Sequence, residues 1–313
     1  MSDRAPSQLA PIVIFVYKRA EHTRRMLQSL RTNPDFVRSL VTVYCDGPKS
    51  DKDRDAVLAT RRVVRDLAPA ARIVERVENF GLARSIITGV TEHCAKYGRV
   101  IVVEDDLIFS PFALDYFNDA LDFYAGHERV MHVSGYMYPV RRRPPAAFLY
   151  REGTCWGWAT WQRAWAKFES DPQVILNWIE RHDQRRRFDI NDTMYFWQML
   201  SMQAQGKLDS WAIRWYGSIF MNGGLSLHPA QALIANKGHD GTGVHCGPTE
   251  QFEVELARKP LSSETFPTDI AECELAVRAM MDYRKPSDLP GLTQRAIAWG
   301  RFQLGRLSRT IRQ

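Results

Sequence analysis

The chain has 313 residues, 45% hydrophobic and 25% charged, with 42 Lys and Arg against 36 Asp and Glu for a formal charge of +6. That is ordinary globular composition, so one enzyme-sized domain is expected and low-complexity classes are excluded. The polar stretch before Pro11 has no apolar signal core, and no apolar run approaches the roughly 18 residues of a membrane span, so neither secretion nor a transmembrane anchor is expected.

Five cysteines, odd in number, widely spaced and never CxxC, argue against a disulfide framework and a zinc knuckle. A reducing cytoplasm is the expected location. Positive charge gathers at Arg141–Arg143 and Arg185–Arg187, which suits a polyanionic ligand or an anionic membrane surface. No DNA- or RNA-binding motif accompanies it, so nucleic acid is not an expected partner.

From Pro11 onward strands and helices alternate. Ile12 to Tyr17 reads as an apolar strand, and Glu21 to Arg31 as a helix with Met26, Leu27 and Leu30 on one face. Leu40 to Cys45 is a second strand, closed by the turn signal Asp46-Gly47-Pro48 before a charged helix from about Asp53 to Leu67. A third strand, Arg72 to Val77, passes through Asn79-Phe80-Gly81 into a helix over Leu82 to Tyr97. A fourth, Arg99 to Val103, runs into Glu104-Asp105-Asp106. Such βα repeats predict a mostly parallel sheet with helices on both faces.

The acidic triplet is the first chemical signal. Ligands of open α/β sheets bind at the carboxyl ends of strands, and three carboxylates placed there repel unless a cation neutralises them. A divalent Mn²⁺ or Mg²⁺, which takes oxygen ligands and keeps phosphates in its sphere, would link Asp106 to a nucleotide diphosphate. The alternative is a solvated acidic turn ahead of a helix starting near Pro111. Asp46 and Lys18-Arg19 end strands at the same edge, so a base-recognising carboxylate, a phosphate-neutralising cation and a metal ligand are offered together.

Phe15 to Arg19, Tyr44 to Asp46, Asn79 to Ser85 and Val102 to Leu107, in this order and spacing, resemble the nucleotide-binding half of GT-A glycosyltransferases. The pattern is similar to the N-acetylglucosaminyltransferase I family and to bacterial family-2-like transferases, over roughly residues 10 to 245. The resemblance implies a Rossmann-like mixed, mostly parallel sheet, with Asp106 ligating the metal and Glu104 and Asp105 holding the nucleotide sugar. It further implies Arg19 on the diphosphate, Asp46 on uracil and Arg84 within the donor site. The implied activity is metal-dependent, inverting transfer from a nucleotide sugar, UDP-sugar favoured, to a hydroxyl of a glycan or glycolipid.

Eight of the nine tryptophans fall between Trp156 and Trp215, where they either build a second layer of core or stack on sugars. Gly153 to Thr160 resembles the glycine-bearing turn beneath the donor sugar, with Trp156, Gly157 and Trp158 facing the acceptor; the alternative is a loop with core tryptophans. Leu208 to Trp215 resembles the segment supplying the catalytic base, here Asp209, with Trp211 and Arg214 beside the acceptor; Asp209 could equally cap the helix that follows. The Gly-rich loop Asn236 to His245 either closes over the diphosphate, with Lys237 on phosphate and His245 on the metal, or is an ordinary surface loop.

The expected organisation is a GT-A catalytic domain over residues 1–265, with a nucleotide-sugar half at 10–140 and an acceptor half at 141–265, followed by a helical tail at 266–313. From Leu292 the tail alternates arginine with bulky apolar residues, a pattern for peripheral contact with an anionic membrane on its cytoplasmic face or for a docked helix. Two other functions share the layout. A sugar-1-phosphate nucleotidyltransferase needs a Gly-rich loop after strand one, where this chain reads Tyr17-Lys18-Arg19-Ala20-Glu21. A non-catalytic glycan-binding module has no use for the intact acidic triplet.

Overall fold

The computed structural model describes residues 9–241 and 249–283. The first part of the chain is built from β1 (Ile12–Val16), α1 (Ala20–Leu30), β2 (Val41–Cys45), α2 (Arg54–Leu67), β3 (Arg72–Glu75), α3 (Leu82–Tyr97) and β4 (Arg99–Glu104). Then come β5 (Leu107–Phe109), α4 (Ala113–Phe123), β6 (Val130–Ser134), β7 (Ala147–Tyr150), β8 (Trp158–Trp161) and α5 (Gln162–Trp165). Four helices follow, α6 (Pro172–Arg181), α7 (Arg185–Phe188), α8 (Phe196–Ala204) and α9 (Trp211–Met221), before β9 (Leu225–Pro229), β10 (Ile234–Asn236) and α10 (Glu274–Tyr283).

Eight strands form one sheet in the order β3-β2-β1-β4-β8-β6-β9-β7. Pairing is parallel except where β8 meets β4 and β6 and where β7 meets β9, so six strands run one way and two oppose them. This is the expected α/β class: a Rossmann-like, mixed, mostly parallel sheet with helices on both faces. β1 is buried at all five positions, as a central strand covered on both sides requires.

The alternation along each strand sends side chains to two cores. Ile12, Ile14, Val43, Ile101 and Val103 pack under α1, α2 and α4, whereas Val13, Phe15, Tyr44, Val100 and Val102 pack under α3, α5 and α9. A satellite core joins α6, α8 and α9 through Ile175, Leu200 and Tyr216. Residues 266–283 are docked on this body: Phe266 is buried in the main core, Cys273 N–H donates to Leu149 O at 2.8 Å, and α10 packs beside β7. The basic segment from Leu292 lies outside the described residues. No helix among the described residues is long and apolar enough to cross a membrane.

A small antiparallel sheet of β5 and β10 positions the site, with Asn236 opposite Leu107 and Ile234 opposite Phe109. It lays the chain after Asn236 directly over the chain after Glu104.

Candidate active site

Parallel pairing of β1 with β2 and β4 brings three strand ends to one edge: Tyr17-Lys18-Arg19, Asp46, and Glu104-Asp105-Asp106. Arg19 is the N-cap of α1, and its guanidinium crosses to the end of β4. Nη1 donates to Asp106 Oδ2 at 3.0 Å and lies 3.8 Å from Asp105 Oδ1, while Nη2 lies 3.6 Å from Asp240 Oδ1. His22 Nε2 stands 3.0 Å from the second Asp240 oxygen, tying the loop after β10 to the first turn of α1.

The triplet is electrostatically loaded. Burial raises the pKa of Glu104 well above the usual carboxylate range, and the charges of Asp106 and Asp105 raise it further. Asp105 is pushed up to about 7 by burial and by Asp106, with Arg19 opposing. Positive charge at this point would relieve both.

The loop after β10 completes the arrangement. Lys237 N–H donates to Asp106 O at 2.8 Å, and Gly238 N–H donates to Asn236 Oδ1 at 2.6 Å. The next residue, His239, has both ring nitrogens buried without a hydrogen-bond partner. Its ring meets Trp156 edge-on with centroids 5.3 Å apart, burial lowers its pKa, and the Asp106 charge opposes that shift. The sequence pattern does not single out His239. Its only signal is position, three residues past the strand that pairs with the one following Asp106.

Among the described residues no three His, Cys, Asp or Glu side chains converge to hold a cation. The donor set still fits Mn²⁺ or Mg²⁺, which bind through one or two carboxylates and complete their sphere with phosphate oxygens and water. Asp106 supplies a carboxylate already paired with a cationic group, and the orphaned nitrogens of His239 supply an imidazole in the same loop.

The other expected site residues are distributed as follows. Asp46 accepts from the backbone N–H groups of Gly47, Phe80 and Gly81 at 2.8 to 3.0 Å, so its carboxylate holds the turn ahead of α3. Arg84 lies over Phe80, 4.0 Å from the ring centroid, on the same turn. The Lys237 ammonium is directed to Glu253 at 2.9 Å. Gly157 has φ +71°, and a β-carbon there would meet Ile234 at 2.2 Å; the close approach that needs glycine is to β10. Trp158 and Trp211 are buried and stacked on each other at 5.1 Å, so they are core, and of the three expected sugar-facing tryptophans only Trp156 is partly open. Arg214 donates to Ser210 O at 3.2 Å and pairs with Asp209 at 3.3 Å. Asp209 does not cap α9; Ser210 does, accepting from Ile213 N–H. The Asp209 side chain is 74% exposed. His245 lies outside the described residues.

No family model and no curated protein matches the chain. Solved structures that match include the mannosyltransferase PcManGT from Pyrobaculum calidifontis in complex with GDP-Man and Mn²⁺, at 18% identity, TM-score 0.34, covering 55% of this chain and 46% of that one. A protein of Desulfovibrio desulfuricans G20 described as a nucleotide-diphospho-sugar transferase matches at 10% identity and TM-score 0.33, covering 51% and 68%. S. aureus TarS matches at 16% identity and TM-score 0.31, covering 45% and 24%. This chain thus spans under half of the mannosyltransferase and about a quarter of TarS. Likenesses of this extent carry no argument about substrate.

Proposed function

We propose that the chain is a glycosyltransferase of GT-A layout that transfers a sugar from a nucleoside diphosphate donor to an acceptor hydroxyl. The observation that carries this reading is the meeting of Arg19, Asp105, Asp106 and the loop of His239 at the carboxyl ends of β1 and β4. That edge is where open α/β sheets take nucleotides, and it combines a guanidinium for phosphate with a carboxylate set for a hard cation.

A divalent cation held by Asp106 and by a histidine of the 236–245 loop, His239 or His245, would compensate charge on the leaving diphosphate. Arg19 then exchanges Asp106 for phosphate oxygens, a bidentate partner of the same charge. The turn held by Asp46, with Arg84 upon it, borders the nucleoside. Asp209, at the start of α9, takes the proton of the acceptor hydroxyl, and an inverted linkage follows from attack opposite the diphosphate. A uridine nucleotide and a glycan or glycolipid acceptor are the preferred partners.

The test is a thermal-shift series with UDP-, GDP- and dTDP-sugars, each with Mn²⁺ and with EDTA. A ligand at 100 times its dissociation constant adds about 2.7 kcal/mol of apparent stability, which is easily read. Stabilisation by one nucleotide series in Mn²⁺ only, with slow release of free sugar, is the expected result. No shift with any of them would end the transferase reading.

A further inference from the structure

The two arginine triplets that stand apart in the sequence, Arg141–Arg143 and Arg185–Arg187, meet at one surface in the fold. The last turn of α10, which packs beside the edge strand β7, joins them. Arg142 Nη2 lies 3.5 Å from Asp282 Oδ2. The neighbouring Met281 Sδ lies 3.3 Å from Asn191 Nδ2, and the backbone N–H of Asn191 donates to Arg186 O at 2.8 Å. Arg187 reaches Glu272, two residues ahead of α10, at 3.7 Å, and its carbonyl accepts from Arg151 Nη1–H at 3.0 Å.

The turn between α7 and α8 holds the second triplet in place. Ile190, Asn191 and Asp192 have φ of 49°, 54° and 66°, a left-handed run that side-chain-bearing residues avoid unless surrounding contacts impose it. All six arginines of the two triplets are exposed.

Their charge is not balanced locally. Asp282 is taken by Arg142 and Asp192 by Arg186, while Glu272 is shared between Arg151 and Arg187. Among the described residues, Arg141, Arg143 and Arg185 form no ion pair. Asp189, at the end of α7, is buried and turned inward to Trp197 N–H at 2.7 Å. A solvated surface of ordinary ion pairs would leave no such surplus.

Apolar groups interrupt the basic ones. The Arg185 guanidinium lies over the Trp197 ring, 5.3 Å from its centroid, and Trp197 is partly open. On α10, Leu275 is 47% exposed one turn before Arg278. Arginine paired with an aromatic ring, next to an exposed leucine, suits the boundary between lipid headgroups and acyl chains. The chain also leaves this surface at Tyr283, and the residues that follow carry seven Lys and Arg against one acid, Asp288. A layer of lipid phosphates can meet all of these groups at once.

We propose that the surface formed by Arg141–Arg143, Arg185–Arg187 and the exposed face of α10 binds an anionic lipid bilayer, with the guanidiniums on headgroup phosphates and Leu275 and Trp197 at the acyl boundary.

The test is co-sedimentation of the full chain with vesicles of phosphatidylcholine, alone or mixed with phosphatidylglycerol. The wild type binds the mixed vesicles only, and raised salt weakens the binding. An arginine near an anionic leaflet contributes about fivefold to partition, so removing two costs about 25-fold. That loss is expected in Arg141→Gln/Arg143→Gln and again in Arg185→Gln/Arg186→Gln. Arg62→Gln/Arg65→Gln, an exposed pair on α2, removes the same charge elsewhere and leaves partition near the wild-type value. Circular dichroism checks the fold, and if one triplet variant does not fold the other alone decides. Unchanged partition in a folded triplet variant overturns the surface and assigns any binding to the residues after Tyr283. Equal loss in the α2 control, binding to pure phosphatidylcholine, or retention of heparin but not of vesicles overturns it as well.

Discussion

Gly238 lies so close beneath Asp106 that a β-carbon at 238 would stand 2.0 Å from Asp106 Oδ2 and 2.8 Å from its Cγ. The carboxylate and the loop after β10 are therefore shaped to each other, and glycine is demanded by space. Gly238→Ala must displace one or the other. The expected result is a stability loss of about 1 to 3 kcal/mol by urea unfolding, together with loss of metal-dependent nucleotide binding. Unchanged nucleotide affinity in calorimetry would show that the loop moves without disturbing Asp106.

Arg19 holds Asp106 at 3.0 Å, so removing the carboxylate and removing the cation have different signatures. Asp106→Asn keeps the shape, leaves the fold intact and weakens nucleotide binding in Mn²⁺ to the level of the wild type in EDTA. Equal affinity of the wild type in Mn²⁺ and in EDTA would dismiss the metal.

Two buried histidines, His132 on β6 and His228 on β9, give a pH signature. His132 is held to about 3 and His228 to about 4, in both cases chiefly by burial, against 6.5 for an exposed imidazole. Between pH 6.5 and those values the unfolded chain binds protons that the native state refuses, so this stability is complete above pH 6.5 and is lost as pH falls. Glu104, Asp105 and Asp189, all raised by burial, act in the opposite sense, so the histidine effect is best read as a difference. His132→Gln also breaks the 3.1 Å bond from Trp215 Nε1–H and destabilises the protein at pH 7. Its deficit relative to the wild type should shrink by at most about 1.4 kcal/mol per pH unit on acidification from pH 6.5 to 4.5. A deficit independent of pH would mean that His132 titrates normally.

The chain up to β4 was largely legible in the sequence because each strand is a short apolar run closed by a polar turn. The helix expected over Leu82 to Tyr97 has those bounds, and β4 is one residue longer than expected because Glu104 still pairs with Phe15. The chain after β4 was not, for two physical reasons. Its strands pair far out of order, β8 between β4 and β6 and β9 between β6 and β7, and local periodicity carries no such information. Its tryptophans read alike in the sequence, whereas burial separates Trp158 and Trp211 from Trp156. His239 is not marked in the sequence for a related reason, since it is set apart only by what the folded chain brings beside it.

Asp209 is the last residue whose role can be separated by experiment. Its carboxylate is exposed and lies 3.3 Å from Arg214, whose own pKa is lowered by burial and supported by the Asp209 charge. Asp209 stands two residues before α9, and the first turn of that helix, through Ala212 and Ile213, lines a cleft beside Trp156. A bound acceptor would exclude the water that now reaches this carboxylate. Proton transfer by such a group contributes a factor of about 10² to 10⁴. Asp209→Asn keeps the size and should bind nucleotide and Mn²⁺ as before, while transfer to a saturating acceptor falls by at least ~10²-fold. The Arg214 contact supplies the control. Arg214→Lys retains the positive charge near Asp209 and should cost far less, whereas a merely structural role for the pair would make both variants lose stability and activity together. Near-normal turnover in Asp209→Asn would take this residue out of the mechanism.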